Sequence, residues 1–191
     1  MIRSRLAVAA LFSMPLLMAA PALAGTDVPL PSFTGIELHG GGHVVLRHGP
    51  VQRVTILKGD TGNSLLEVHN GSLEIDGCKK FWSCPWGYKL EVEIVTPGIT
   101  ALAVHGGGEL EAKGEFPLQD SMSLAVHGGG DVNIDAIPVK NVQAAVHGGG
   151  ELRTNAVETL TAAVHGGGSV VYKGHPRVTS AVHGGGSVSQ E

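Results

Sequence analysis

Aromatic residues are scarce, with four Phe, two Trp and two Tyr among 191 residues. Cationic side chains are outnumbered, 13 Lys and Arg facing 17 Asp and Glu, and a net charge of −4 argues against a nucleic-acid or anionic-membrane partner. Cysteine is limited to two residues, which leaves no second pair for a four-cysteine zinc site. No helical period is present beyond the N-terminal segment; the nearest, Val157 to Ala163, is too short to stand. There is also no serine elbow, nucleophile–base pair or phosphate loop, because the glycine runs lack strand–helix flanks. What the chain does have is glycine, 29 residues of it, much of it inside one repeated phrase.

The phrase is Ala-Val-His-Gly-Gly-Gly, at 103–108, 125–130, 145–150, 163–168 and 181–186. Its histidines, His105, His127, His147, His165 and His183, are 22, 20, 18 and 18 residues apart, and a variant copy occupies Leu38 to Gly42. Near-constant spacing predicts stacked units that bury their faces against one another. Within each copy, Val104, Val126, Val146, Val164 and Val182 share one parity with Leu102, Leu124, Ala144, Ala162 and Ser180, while the Ala and His positions share the other. Period two predicts strands with the valines inward and the histidines outward. Three glycines predict a sharp corner. A unit of this length is too short for a propeller blade and lacks the leucine-rich spacing. The expected fold is therefore all-β: a single-domain, right-handed parallel β-helix, with equivalent residues in columns about 4.8 Å apart. An antiparallel barrel of hairpins is the runner-up, and it leaves the identical corners unexplained.

Met1 to Ala24 reads as a secretory signal, with Arg3 and Arg5, an apolar run and Ala22-Leu23-Ala24 as the cleavage site. Without it, 11 basic residues face 17 acidic ones, a net of −6. The remainder, 25–191, divides into degenerate N-terminal coils over 33–98 and regular repeats over 99–188. In the first part, strands are expected at Ile36 to Leu46, Val51 to Leu57, Leu65 to Val68, Leu73 to Ile75 and Tyr88 to Val95. Asn70-Gly71 predicts a tight hairpin turn.

The order Phe33-x-x-Ile36, Val51 to Leu57, Gly59-Asp60, Leu65-Leu66, Gly71-x-Leu73-x-Ile75 and then glycine-cornered repeats resembles the auto-transporter adhesin head GIN domain family. The likeness covers nearly all of the chain after the signal. It implies a secreted or envelope β-helical protein with an adhesive role. The family's corners usually read like Gly-Ser-Gly-Asp, so the histidines here belong to this chain and not to the resemblance.

Cys78 and Cys84, in an exported chain, predict a disulfide. The loop they close includes or borders Lys79, Lys80, Phe81, Trp82, Trp86 and Tyr88, and exposed rings on a braced loop are suited to stacking on a sugar or gripping a protein. The opposing reading folds the tryptophans back to plug one end of the core. The histidine column has two readings as well. Adjacent imidazoles could share a divalent metal (Zn, Cu or Ni), with nearby carboxylates completing the shell, or the rings could simply cover a column of alanines. Glu109, Asp131 and Glu151 would form an acidic column such as β-helical lyases use, but Lys113, Lys140 and Arg153 share no repeat position.

The sequence thus predicts a non-catalytic protein of the periplasm or cell surface that binds a glycan or a cell-surface protein and requires no cofactor. Periplasmic metal binding through the histidines is the alternative, and polysaccharide lyase or hydrolase activity the weakest reading. Only five residues follow the last corner, so an uncovered strand edge and self-association through it are expected.

Overall fold

A computed structural model describes residues 25–79 and 84–191. The signal expected at Met1 to Ala24 lies outside the described residues, as do Lys80, Phe81 and Trp82 of the loop. The regular elements of the described residues are all strands, and no helix among them is long and apolar enough to cross a membrane.

The strands are β1 Thr26–Asp27, β2 Gly35–Gly40, β3 His43–His48, β4 Arg53–Lys58, β5 Leu65–His69, β6 Ser72–Asp76, β7 Glu91–Thr96 and β8 Ala101–Gly106. They continue with β9 Glu109–Lys113, β10 Gln119–Gly128, β11 Asp131–Gly148, β12 Glu151–Gly166, β13 Ser169–Lys173, β14 Arg177–His183 and β15 Ser187–Gln190. All belong to one large, mostly parallel sheet.

Two parallel ladders run through that sheet, one on each side of the glycine corners. The first stacks β6, β2, β8, β10, the C-terminal half of β11, the C-terminal half of β12 and β14. The second stacks β7, β3, β9, the N-terminal half of β11, the N-terminal half of β12, β13 and β15. Neighbouring repeats pair in register and in parallel, His127 beside both His105 and His147, which rules out the antiparallel barrel. The corners join the ladders through hydrogen bonds between glycines of adjacent coils, such as Gly129 N–H to Gly106 O at 3.0 Å and Gly149 N–H to Gly128 O at 2.9 Å.

The inward parity fills the space between the ladders. Val104, Val126, Val146 and Val164 are fully buried in one column, and Leu110, Val132, Leu152 and Val170 form its counterpart across the corner. Each such side chain contributes roughly 1.5–3 kcal/mol through burial. Val182 departs from the expectation: it is 41% exposed, because no further coil of this chain lies over it. The step from 20 to 18 residues is absorbed where β11 and β12 slip register, between Ile134 and Pro138 and between Val139 and Asn141.

The N-terminal part is less regular than a simple stack. The run expected as one strand from Ile36 to Leu46 is two, β2 and β3, broken at the variant corner Gly41-Gly42. The coil made of β6 and β7 lies on the far side of the β2–β3 coil from β8 and β9, so spatial order departs from chain order. Beyond it the pairing turns antiparallel, with β5 on β6 and β4 on β7. Asn70 and Gly71 link β5 to β6 with φ of 51° and 79°, the left-handed pair that a two-residue hairpin needs.

Candidate functional site

Three features project from this frame. The first is the histidine stack. The outward parity, set by the strand period, puts His105, His127, His147, His165 and His183 one above another, with His39 added below. Neighbouring ring centroids are 4.8–5.0 Å apart and the planes lie within 1–7° of parallel. That separation is the strand spacing itself, so backbone pairing dictates the stack. The flanking column is Ala103, Ala125, Ala145, Ala163 and Ala181, which gives these rings no oxygen ligand from that side. At the lower end the column changes: Glu37 takes the place of alanine, and Glu37, His39 and His105 bring one donor atom each within 4.8 Å of one another. His39 Nε2 is buried without a hydrogen-bond partner. Burial and the neighbouring charges of His39 and His127 push His105 below its ordinary pKa, against an opposing pull from Glu37.

The second feature is the loop between β6 and β7, which stands where the other coils have their glycine corner. Cys78 and Cys84 are bonded to each other, their Cα atoms 6.1 Å apart. The loop is moored to the turn at 59–64. Tyr88 Oη accepts the Asp60 N–H at 2.9 Å and meets Ser64 Oγ at 2.8 Å, while Lys79 Nζ donates to Thr61 O at 2.7 Å. The Asp60 carboxylate caps that turn by accepting the N–H groups of Gly62 and Asn63, and the Asn63 hydrogen bonds hold its pKa below the usual range. Trp86 is left fully exposed, so its ring does not plug the core. Between this loop and the corners lies a cleft of about 680 Å³, bordered by Gly42, His43, Trp86, Glu91 and Glu109. On its wall His43 Nε2 meets Glu111 Oε1 at 2.9 Å. Burial would raise the Glu111 carboxyl, but Lys113 and His43 together hold it low.

The third feature is the acidic column, where Glu109, Asp131 and Glu151 lie in register across the corner from the histidines. Asp131 accepts the Glu151 N–H and Glu151 pairs with Arg153, which are the contacts of a solvated corner.

Against known proteins, the family described as "Putative auto-transporter adhesin, head GIN domain" matches residues 32–120 and 118–176. The chain belongs to that family. Among solved structures, this GIN-domain protein is similar to a "putative adhesin" from Bacteroides fragilis NCTC 9343, with 17% identity, a TM-score of 0.53, and coverage of 87% of this chain and 96% of that one. A "putative lipid binding protein" from Parabacteroides distasonis ATCC 8503 aligns at 16% identity and a TM-score of 0.46, over 87% and 96% of the two chains. A "putative cell adhesion protein" from Clostridium sporogenes ATCC 15579 aligns at 14% identity and a TM-score of 0.40, over 87% and 100%. None of the curated proteins matches it.

The residues that carry the family resemblance are mostly interior to the GIN domain. Phe33, Ile36, Leu66, Leu73 and Ile75 are buried, and Asp60 serves its own turn. They report how the domain folds and not what it binds. Sequence reasoning did not single out Glu37, His39 or Glu74 as a group. The available signal was Glu37, which stands two residues before His39 where every later repeat has alanine.

Proposed function

We propose that this GIN domain is a non-catalytic, exported binding protein of the cell envelope, and that it holds a glycan or a cell-surface protein in the cleft beside the Cys78–Cys84 loop. The supporting observation is Trp86. Its indole is fully exposed on a loop that a disulfide and the Tyr88 network hold in place, at the mouth of a cleft of about 680 Å³. A cleft of that size suits a small ligand, and a presented ring provides the flat apolar surface on which a sugar face stacks. Tyr88, with its hydroxyl engaged, anchors the loop and also borders the cleft. The in-register ladders favour a right-handed parallel β-helix as the scaffold, with the periplasm or the outer surface as its place of work. The uncovered coil at β14 and β15 supports self-association through that end.

Trp86→Ala tests the reading. Binding of glycans or cells, followed with purified protein, should weaken strongly while the melting temperature stays near the wild-type value, since an exposed side chain contributes within about 0.5 kcal/mol to stability. Loss of stability with binding intact would overturn the proposal. Reduction of the disulfide should lower affinity before the ladders melt, because no repeat depends on that loop.

A further inference from the structure

The histidine stack is uniform except at its lower end, where carboxylates surround the first ring. His39 Nε2 lies 3.8 Å from Glu37 Oε2 and 4.0 Å from Glu74 Oε1, too far for hydrogen bonds, and it is buried with no partner. Glu37 is steadied by Ser72, whose Oγ donates to Glu37 Oε1 at 3.1 Å. Parallel pairing brings these groups together: Glu37 lies beside Glu74 on one side, and His39 lies beside His105 on the other. This imidazole nitrogen withdrawn from water, the two carboxylates beside it and a second imidazole together make a set of metal-ligand atoms.

We propose that Glu37, His39, Glu74 and His105 form a binding site for one divalent transition-metal ion, zinc being the fitting ion. Two nitrogens and two carboxylate oxygens match the borderline preference of zinc, whereas calcium and magnesium require oxygen shells. Zinc–ligand bonds of about 2.0–2.2 Å set tetrahedral donors roughly 3.4 Å apart. Glu37, His39 and His105 already hold their donor atoms within 4.8 Å of one another and Glu74 Oε1 lies 4.0 Å from His39 Nε2, so side-chain rotation on fixed strands would have to close the shell. The site is confined to this rung. From His127 upward the flanking positions are alanine, and among the described residues no other group of three such donors converges. The inference is independent of the ligand cleft: Trp86 takes no part in it, and the Trp86→Ala variant should bind zinc like the wild type.

The test uses untagged protein stripped of metal. Zinc affinity is measured by competition with a chromophoric chelator, and coordination by the visible absorption of Co²⁺ in place of zinc. One ion per chain is expected, with tetrahedral Co²⁺ bands. His39→Ala and Glu37→Gln should each raise the Kd at least about tenfold and abolish or shift those bands, by analogy with the loss seen when even supporting residues are removed. The pair His147→Ala and His165→Ala should leave the Kd unchanged. Melts in excess chelator verify that each variant is folded, and Glu37→Gln carries the test should His39→Ala fail to fold. Absence of zinc binding, unaltered affinity in His39→Ala or Glu37→Gln, or several ions lost on replacing His147 and His165 would each overturn the proposal.

Discussion

An imidazole held between two others 4.8–4.9 Å away loses water on both faces and gains two neighbours that carry charge in acid. His105 is such a ring, and its pKa is lowered first by burial, then by His39 and His127, with Glu37 working the other way. In the window between that lowered value and about 6.5, the unfolded chain binds more protons than the folded one. The stability tied to His105 is therefore complete above about pH 6.5 and is lost as pH falls through the folded value. Urea melts from pH 7.5 to 5, run in chelator so that no metal contributes, should show this decline. His105→Gln should flatten it; a variant that declines as steeply as the wild type would remove His105 as the cause. Alternation and spacing made the rings' outward column legible in the sequence. Its chemical asymmetry was legible only at Glu37, which replaces the alanine of the later repeats; Glu74 joins Glu37 only through the pairing of strands 37 residues apart, which no local pattern records.

The corner is the element that repeats most strictly, yet its three glycines are not equivalent. In the corner at 148–150, Gly148 has a φ of 123° and a Cβ there would meet Gly128 O at 2.4 Å. Gly150 would place a Cβ 2.6 Å from Val126 Cγ1 and against the Gly130 carbonyl. Gly149 has open space around it and lies outside the left-handed region. Gly149→Ala should accordingly be neutral or stabilise by about 0.4–1 kcal/mol through the unfolded chain. Gly150→Ala should cost about 1–3 kcal/mol from overpacking. Thermal melts of the two variants check the contrast, and equal destabilisation would mean that the coils do not approach this closely. The triplet could be read as a corner because glycine tolerates conformations and contacts that other residues resist. The hairpin at Asn70-Gly71 was readable for the same reason. Where the glycines fell inside the alternating segment from Ile36 to Leu46, at Gly40 to Gly42, the segment was read across the corner and two strands looked like one. The reversed stacking of the β6–β7 coil left no mark in the repeat period, since that period fixes register between like units and not the order in which unlike units stack.

At the scale of the molecule the two ends differ. At one, the parallel ladders are covered by strands that pair antiparallel, β4 and β5, with β1 outside β4. At the other, β14 and β15 pair on one side only, and Val182 is 41% exposed where its four counterparts are fully buried. A strand edge beside an uncovered valine is an invitation to pair, whereas the edges at the other end, β5 and β1, lie antiparallel on the strands they cover. Head-to-tail pairing would join unlike edges, so the exposed edge is expected to satisfy itself against the same edge of a second copy. Such an isologous contact closes on itself, so it predicts a dimer and not a filament. Light scattering across a wide concentration range should show the mass rising from that of one chain to a plateau at twice that value. Val182→Lys sets a charge on the exposed edge and should hold the protein monomeric, lowering the melting temperature far less than the same change at the fully buried Val164 would. A constant single-chain mass in the wild type would show that the last coil is stable uncovered. Growth past the dimer would mean that the β4–β5 end also accepts a partner.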